Sequence, residues 1–385
     1  MRNDNSATAA RRSRRRLLGL AAVVATVGLV GAACGGSKGS DTGSSSSSGA
    51  SSAKLSAATL NGSGSTFQLA FDEAAIAQFK EKQPAVTVNY GGGGSGKGKQ
   101  DLADQIVDFA GTDSLVKPED ASKYKGGEFL YIPTVAAPIT VSYNLKGVSD
   151  LKLDADTIAK IFSRQIKTWD DPAIKATNSG ATLPSTAITV VHRSDASGTT
   201  ENFTKFLAAA SPTSWTIKAG STVDWPTDTQ AGNGNQGVAS AVKSTDGAIG
   251  YVDLSDAKAS GLTFAQVKNK AGNFEKPTLE GASKALDGAT VNADLTYNPL
   301  WTDGADAYPI TSPTWVLVYK NQTDKAKGEA VKAFLTYLVT DAQDVAKDVD
   351  YAKLPASLQA KAKAAVDSIV VGGSAGSSGS STTTK

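Results

Sequence analysis

The sequence holds one cysteine, one histidine and one methionine in 385 residues. Cys34 stands alone, so the chain can form no internal disulfide and offers no thiolate cluster to a metal. A single imidazole, His192, and no thiolate beyond Cys34 argue against a zinc site, and no metal or cofactor is expected. Positive charge is also scarce: 39 Lys and Arg face 37 Asp and Glu, a formal net charge of +2. Residues 1–33 contain six Arg and one Asp, which leaves the remainder at −3. No Lys/Arg cluster follows, and a nucleic-acid binder needs a broad basic surface. An anion would have to be held here by local, oriented donors. The sequence has no internal repeat.

What is present begins with an export pattern. Five of the six residues from Arg11 to Arg16 are Arg, Leu17 to Ala33 are apolar or small, and Cys34 follows Gly31-Ala32-Ala33. This resembles a bacterial lipoprotein signal, although Gly31 stands where that motif has an aliphatic residue. The reading is a signal peptide over 1–33 and a lipidated Cys34, with a Ser/Gly tether over 34–54 spanning roughly 20 Å. The protein is expected to be exported and held by its lipid on the outer face of the cytoplasmic membrane, with more than one acyl chain needed for stable attachment. Residues 372–385 form a second Ser/Gly-rich tail.

About 315 residues lie between these ends, more than one core usually serves, so two domains are expected. Strands alternate with helices from Leu60 onward, which argues for an α/β fold with a largely parallel sheet. Phe67, Phe71, Ala75 and Phe79 recur every fourth residue and mark a helix ended by Pro84; Val86 to Tyr90 is a strand, Gln100 to Ile106 a helix, and Val107 to Asp113 a short buried strand. Two β-rich runs, Phe129 to Asn144 and Tyr308 to Tyr319, read as crossings between domains, the first too long for one ordinary strand and broken by Pro133 and Pro138. Two crossings imply a domain assembled from both chain ends, with another inserted, and the cleft between them is a natural ligand site.

Three loops carry the chemistry. Val190 to Phe203 reads as a strand running through Arg193 into a helix that starts near Ser197-Gly198-Thr199. The first turn of a helix has N–H groups without partners and the positive end of its dipole, so it can hold an anion; it can equally be a plain N-cap beside a surface Arg. Arg193 would add a rigid fork of donors. Gly62 to Phe67 and Gly91 to Gly98 repeat the pattern. The latter fits both G-x-G-x-x-G and G-x-x-x-x-G-K, but Gly98 stands where a Walker loop needs Ser or Thr, and any anion suits such a loop. Ser194, Ser197 and Asp195 lie near His192, yet neighbours on a strand point to opposite faces, and a triad is a matter of geometry. Asp170-Asp171 before Pro172 reads as a turn or cap.

Gly62-Ser63-Gly64-Ser65-Thr66-Phe67, Val107 to Asp113, Arg193 to Thr199, Asp246 to Tyr251 and Tyr308 to Ser312 together resemble the phosphate-binding lipoproteins of bacterial ABC phosphate importers. The resemblance runs from about Leu60 to Val370. It implies a two-domain periplasmic-binding-protein fold of type II, each domain a mixed, mostly parallel sheet flanked by helices, with domain I over 55–137 plus 310–371 and domain II over 138–309. It further implies phosphate contacts from Thr66, the backbone of Phe67, Ser95, Asp113, Arg193, Ser197, Gly198 and Thr199, with Asp195 pairing Arg193; the glycine run before Ser95 is one residue shorter than in the family. The implied protein is a monomer that is not an enzyme, binds inorganic phosphate and hands it to a membrane permease. A phosphate-ester hydrolase, a binder of another oxyanion and a surface scaffold remain as alternatives. Phosphate near neutral pH keeps a proton to donate to Asp113, whereas sulfate has none, so a buried carboxylate there would select phosphate.

Overall fold

The computed structural model describes residues 54–372. The signal peptide, Cys34, almost all of the tether, and the C-terminal tail after Gly372 lie outside the described residues. The chain enters through β1 (Ala58–Gly64), α1 (Leu69–Lys82), β2 (Val86–Gly91), α2 (Ser95–Ala103) and β3 (Phe109–Thr112). On α1 the fourfold spacing is used as expected: Phe71, Ala75 and Phe79 are buried with Phe67 just ahead of them. Burial of each such Phe stabilises by about 1.5–3 kcal/mol. The glycine loop proved shorter than expected, because α2 begins at Ser95 itself and not near Gln100.

The main sheet has ten strands among the described residues. Its principal order is Val86–Gly91, Ala58–Gly64, Phe109–Thr112, Thr311–Tyr319, Phe129–Asn144, Ala248–Asp253, Thr189–Arg193 and Gln230–Gly232. Both wings are parallel, since β1 pairs in parallel with β2 and β3, and Thr189–Arg193 pairs in parallel with both of its neighbours. The middle is antiparallel, because the two long crossing strands run against each other and against their outer neighbours. The sheet is therefore mixed.

Phe129–Asn144 corrects one expectation. It is a single 16-residue strand, β4, despite Pro133 and Pro138. A proline lacks the N–H that a ladder uses. The register slips opposite Pro133, between Pro313 and Trp315, and hydroxyls fill the gap: Thr134 Oγ1 lies 2.6 Å from Thr314 Oγ1, which donates to the Val135 carbonyl at 3.1 Å. At Pro138 the strand changes partner. Residues 129–138 pair with Thr311–Tyr319, whereas Ile139 onward pairs with Ala248–Asp253.

The second wing carries α3 (Ala155–Phe162), α4 (Pro172–Thr177), α5 (Gly198–Ala210) and α6 (Gly234–Ser244). Asp171 caps α4 by accepting from Ala173 N–H at 2.9 Å, the role its place before Pro172 suggested. Phe203, Phe206 and Leu207 anchor α5 in the core, and Phe203 stacks on Tyr251 at 4.5 Å. That packing fixes where the first turn of α5 points.

Candidate functional site

The loop after β1 is the first wall. Gly64 takes φ +138°, and a Cβ there would stand 2.1 Å from the Gly111 carbonyl, so only glycine lets β1 run this close to β3 before the chain turns into α1. Ser65 and Thr66 follow, both buried. Ser65 Oγ donates to Asp113 Oδ1 at 2.5 Å and accepts from the Phe67 N–H at 3.0 Å. Asp113 ends β3. Ser95, at the start of α2, accepts from the Asp113 N–H at 3.1 Å and lies 3.4 Å from Asp113 Oδ2. Ser65, Ser95 and Asp113 thus form one buried knot in the first wing.

The second wall comes from the opposite wing. Arg193 is buried at the end of its strand, where its N–H donates to the Tyr251 hydroxyl at 3.0 Å. Its guanidinium pairs with Asp195 through two bonds, Nε to Oδ1 at 2.8 Å and Nη2 to Oδ2, and Nη1 reaches Thr199 Oγ1 at 3.3 Å. Ser197 caps α5 by accepting from the Thr200 N–H at 3.1 Å, which leaves its hydroxyl hydrogen free to donate. The walls approach closely at Gly198: a Cβ there would stand 2.5 Å from Ser95 Oγ and 2.8 Å from Asp113 Oδ2. The α5 N-terminus therefore faces the Asp113 carboxylate directly, and a negative charge is favoured at that end.

Contacts across the cleft are direct. The Gly96 N–H donates to the Ala196 carbonyl at 2.9 Å, and Asn202 Nδ2 donates to the Asp113 carbonyl at 2.7 Å and to Ser312 Oγ at 2.8 Å. All eight residues singled out as anion contacts, with Asp195, lie on these two walls. Four further residues were not singled out. Ser65 and Asn202 hold Asp113, Tyr251 holds the Arg193 backbone, and Asn235 bridges the walls from the first turn of α6: its N–H and Nδ2 reach Thr66 Oγ1 at 3.1 and 3.2 Å, and Nδ2 reaches Thr199 Oγ1 at 3.3 Å. Gly232-Asn233-Gly234-Asn235, which leads into α6, is the same kind of signal as the other three loops.

Burial pushes the Asp113 carboxyl up to about 7, against the opposing pull of the Ser65 bond, the Arg193 charge and the Ser95 bond. Burial acts on Asp195 in the same sense, but its bonds and charge pairing with Arg193 outweigh that and hold it below the usual carboxylate range. So at neutral pH Asp195 is ionised and spends its charge on Arg193, while Asp113 stands near its midpoint. Behind the first wall, burial carries Asp72 to about 8, with Gln68 Nε2 donating to it at 2.8 Å.

Two other patterns resolve into structural roles. Lys97, which completes the G-x-x-x-x-G-K match, is paired with Asp101 one helical turn on, and Asp101 also accepts from Ser63 at 2.6 Å. His192 stacks on Trp225 at 5.0 Å, with Nδ1 2.9 Å from the Arg193 carbonyl and Nε2 3.1 Å from Thr229 Oγ1. Both ring nitrogens are therefore engaged away from Ser194 and Ser197. Among the described residues no group of three or more His, Cys, Asp or Glu could hold a metal ion, and no helix is long and apolar enough to cross a membrane.

Comparison with known proteins points the same way. A model of the PBP superfamily domain matches residues 42–342. The chain is 36% identical over 324 residues to Phosphate-binding protein PstS2 of Mycobacterium bovis (strain BCG / Pasteur 1173P2), covering 80% of this chain and 87% of that protein. It is 35% identical over 314 residues to Phosphate-binding protein PstS of Pasteurella multocida (strain Pm70), covering 80% and 90%. Among solved structures, a high-affinity periplasmic phosphate-binding protein with bound phosphate superposes with a TM-score of 0.67 at 24% identity, over 80% of this chain and 93% of that one. A phosphate-binding protein from Stenotrophomonas maltophilia gives 0.64 at 21% identity over the same shares. These two likenesses concern the fold.

Proposed function

The chain belongs to the PBP superfamily, among the bacterial phosphate-binding proteins, and from that premise we propose that it captures inorganic phosphate outside the membrane and delivers it to an ABC-type permease for import. One observation carries the reading for this chain's own residues: a buried carboxylate, Asp113, faces the N-terminus of α5 and the charge of Arg193 across a cleft rich in donors. An acceptor inside a donor-lined anion site suits an oxyanion that brings its own proton. In this reading Thr66, the Phe67 and Gly198 N–H groups, Ser95, Ser197, Thr199 and Arg193 surround the anion, Asp113 accepts its P–O–H hydrogen, and Asp195 holds Arg193 in place. Ser95 and the Phe67 N–H now bond Asp113 and Ser65, so anion entry requires them to share or exchange those partners.

The same reading divides the chain into domain I (55–137 with 310–371) and domain II (138–309), closing by hinge motion. Support comes from the change of partner in β4 between Pro138 and Ile139, beside which the Ile139 N–H donates to the Ile310 carbonyl at 2.8 Å. Export and a lipid anchor through Cys34, supported by the N-terminal sequence pattern, and a monomeric state complete it. It is a binding protein without turnover, consistent with the packed ring of His192. Titration calorimetry on the purified protein is expected to give one tight phosphate site, no comparable heat from sulfate, and no phosphate release from a chromogenic ester. Equal affinities for the two anions would sink the reading of Asp113, and ester turnover would sink that of a pure binder.

A further inference from the structure

Asn235 is fully buried, sits on α6 in the second wing, and touches the hydroxyls of one threonine on each wall. Thr66 Oγ1 accepts twice from it, from the backbone N–H and from Nδ2. Thr199 Oγ1 also accepts twice, from Asn235 Nδ2 and from Arg193 Nη1. A threonine hydroxyl has two acceptor lone pairs and one hydrogen. With both lone pairs engaged, each hydroxyl keeps only its hydrogen, and among the described residues neither hydrogen has an acceptor. Both are thereby committed as donors.

We propose that Asn235 is a positioning residue for anion binding: it fixes the polarity of the Thr66 and Thr199 hydroxyls so that both can only donate to the bound anion, and it ties the two walls through them. This rests on the phosphate-binding reading above and deepens it. A hydroxyl free to rotate divides its time between donating and accepting, whereas a pre-oriented donor meets the anion without reorganisation. The tie works in the same direction. Thr66 belongs to the first wing and Asn235 to the second, so the bonds exist only when the walls meet. Asn235 Oδ1, buried and without a partner among the described residues, leaves the amide no competing anchor that would pull Nδ2 away.

The test is a double-mutant cycle between Asn235→Ala and Thr66→Val, read by phosphate calorimetry with melting temperature as a fold control. Thr66→Val alone is expected to weaken phosphate binding by roughly tenfold. In the Asn235→Ala background the same change should cost about threefold or less, because the hydroxyl it removes is no longer oriented. A second variant, Asn235→Asp, keeps the shape but turns the donor into an acceptor, so both hydroxyls would donate to it and be lost to the anion. It should bind phosphate more weakly than Asn235→Ala at pH 8, and it serves if Asn235→Ala fails to fold. Costs that simply multiply in the cycle, or an Asp variant that binds as tightly as wild type, would overturn the proposal. Absence of phosphate binding by the wild-type protein would instead overturn the functional reading beneath it.

Discussion

Asp113 meets two opposing demands. It must be buried to be selective, and burial raises the cost of its charge; the hydroxyls of Ser65 and Ser95 and the charge of Arg193 lower that cost without removing it, so its carboxyl stands near 7 and not near 4. An acid whose folded value exceeds its unfolded one binds more protons in the native state across the interval between them. Without ligand, stability from this group is therefore greatest at low pH and falls as pH rises from about 4 to about 7, with a limiting slope of about 1.4 kcal/mol per pH unit for one proton. Asp72 acts in the same sense up to about 8, so a comparison of variants isolates Asp113. Asp113→Asn is expected to flatten the fall in melting temperature between pH 4 and 7, and to narrow the affinity gap between phosphate and sulfate by at least about tenfold. An unchanged gap would remove the proton-acceptor role. Asp113 was legible in the sequence as a strand-terminal acid only, since burial and its two serine partners, 48 and 18 residues away, are long-range facts.

Loops entering helices are the units of this site, and α5 is the clearest. Its cap, Ser197, and its apolar face were readable from local spacing, because capping and amphipathicity are properties of neighbouring residues. What its first turn faces was not, because that depends on Phe203 and Leu207 seating the helix against the second wing. Gly198 is where the element meets its counterpart. In Gly198→Ala the new Cβ would collide with Ser95 and Asp113, so the walls would have to separate. The expected outcome is phosphate binding weakened at least about tenfold, mostly through faster dissociation, with the melting temperature of the ligand-free protein little changed. Stopped-flow dissociation measures this directly, and an unaltered rate would mean that the walls need not meet at Gly198. The start of α6 escaped notice for a physical reason: Asn233 makes no side-chain cap, and the α6 N–H groups are taken by Asp195 and Thr66 from other elements.

At the scale of the whole molecule, β4 and Thr311–Tyr319 hold the wings together. Each wing is a parallel sheet with its own helices, and the antiparallel pair lies between them in the sheet order. The walls touch through a handful of polar bonds, Gly96 to Ala196, Asn202 to Asp113 and Asn235 to Thr66, each worth about 1 kcal/mol net. Contacts of that size can be made and broken on ligand exchange. Small-angle scattering should therefore give a smaller radius of gyration with saturating phosphate than without it. Identical values in both conditions would argue against hinge closure.

The sequence by itself determined the local chemistry: which residues begin helices, which faces are apolar, that no disulfide or thiolate cluster can form, and that anion donors recur at three loops. Those follow from composition and from contacts within a few residues. Only the tertiary structure decided that the three loops share one cleft with a fourth, that β4 stays a single strand past two prolines, and that Asn235 bridges Thr66 and Thr199. Each of these depends on pairing between segments tens to hundreds of residues apart, and no short-range pattern encodes which distant partner will fill a lone pair.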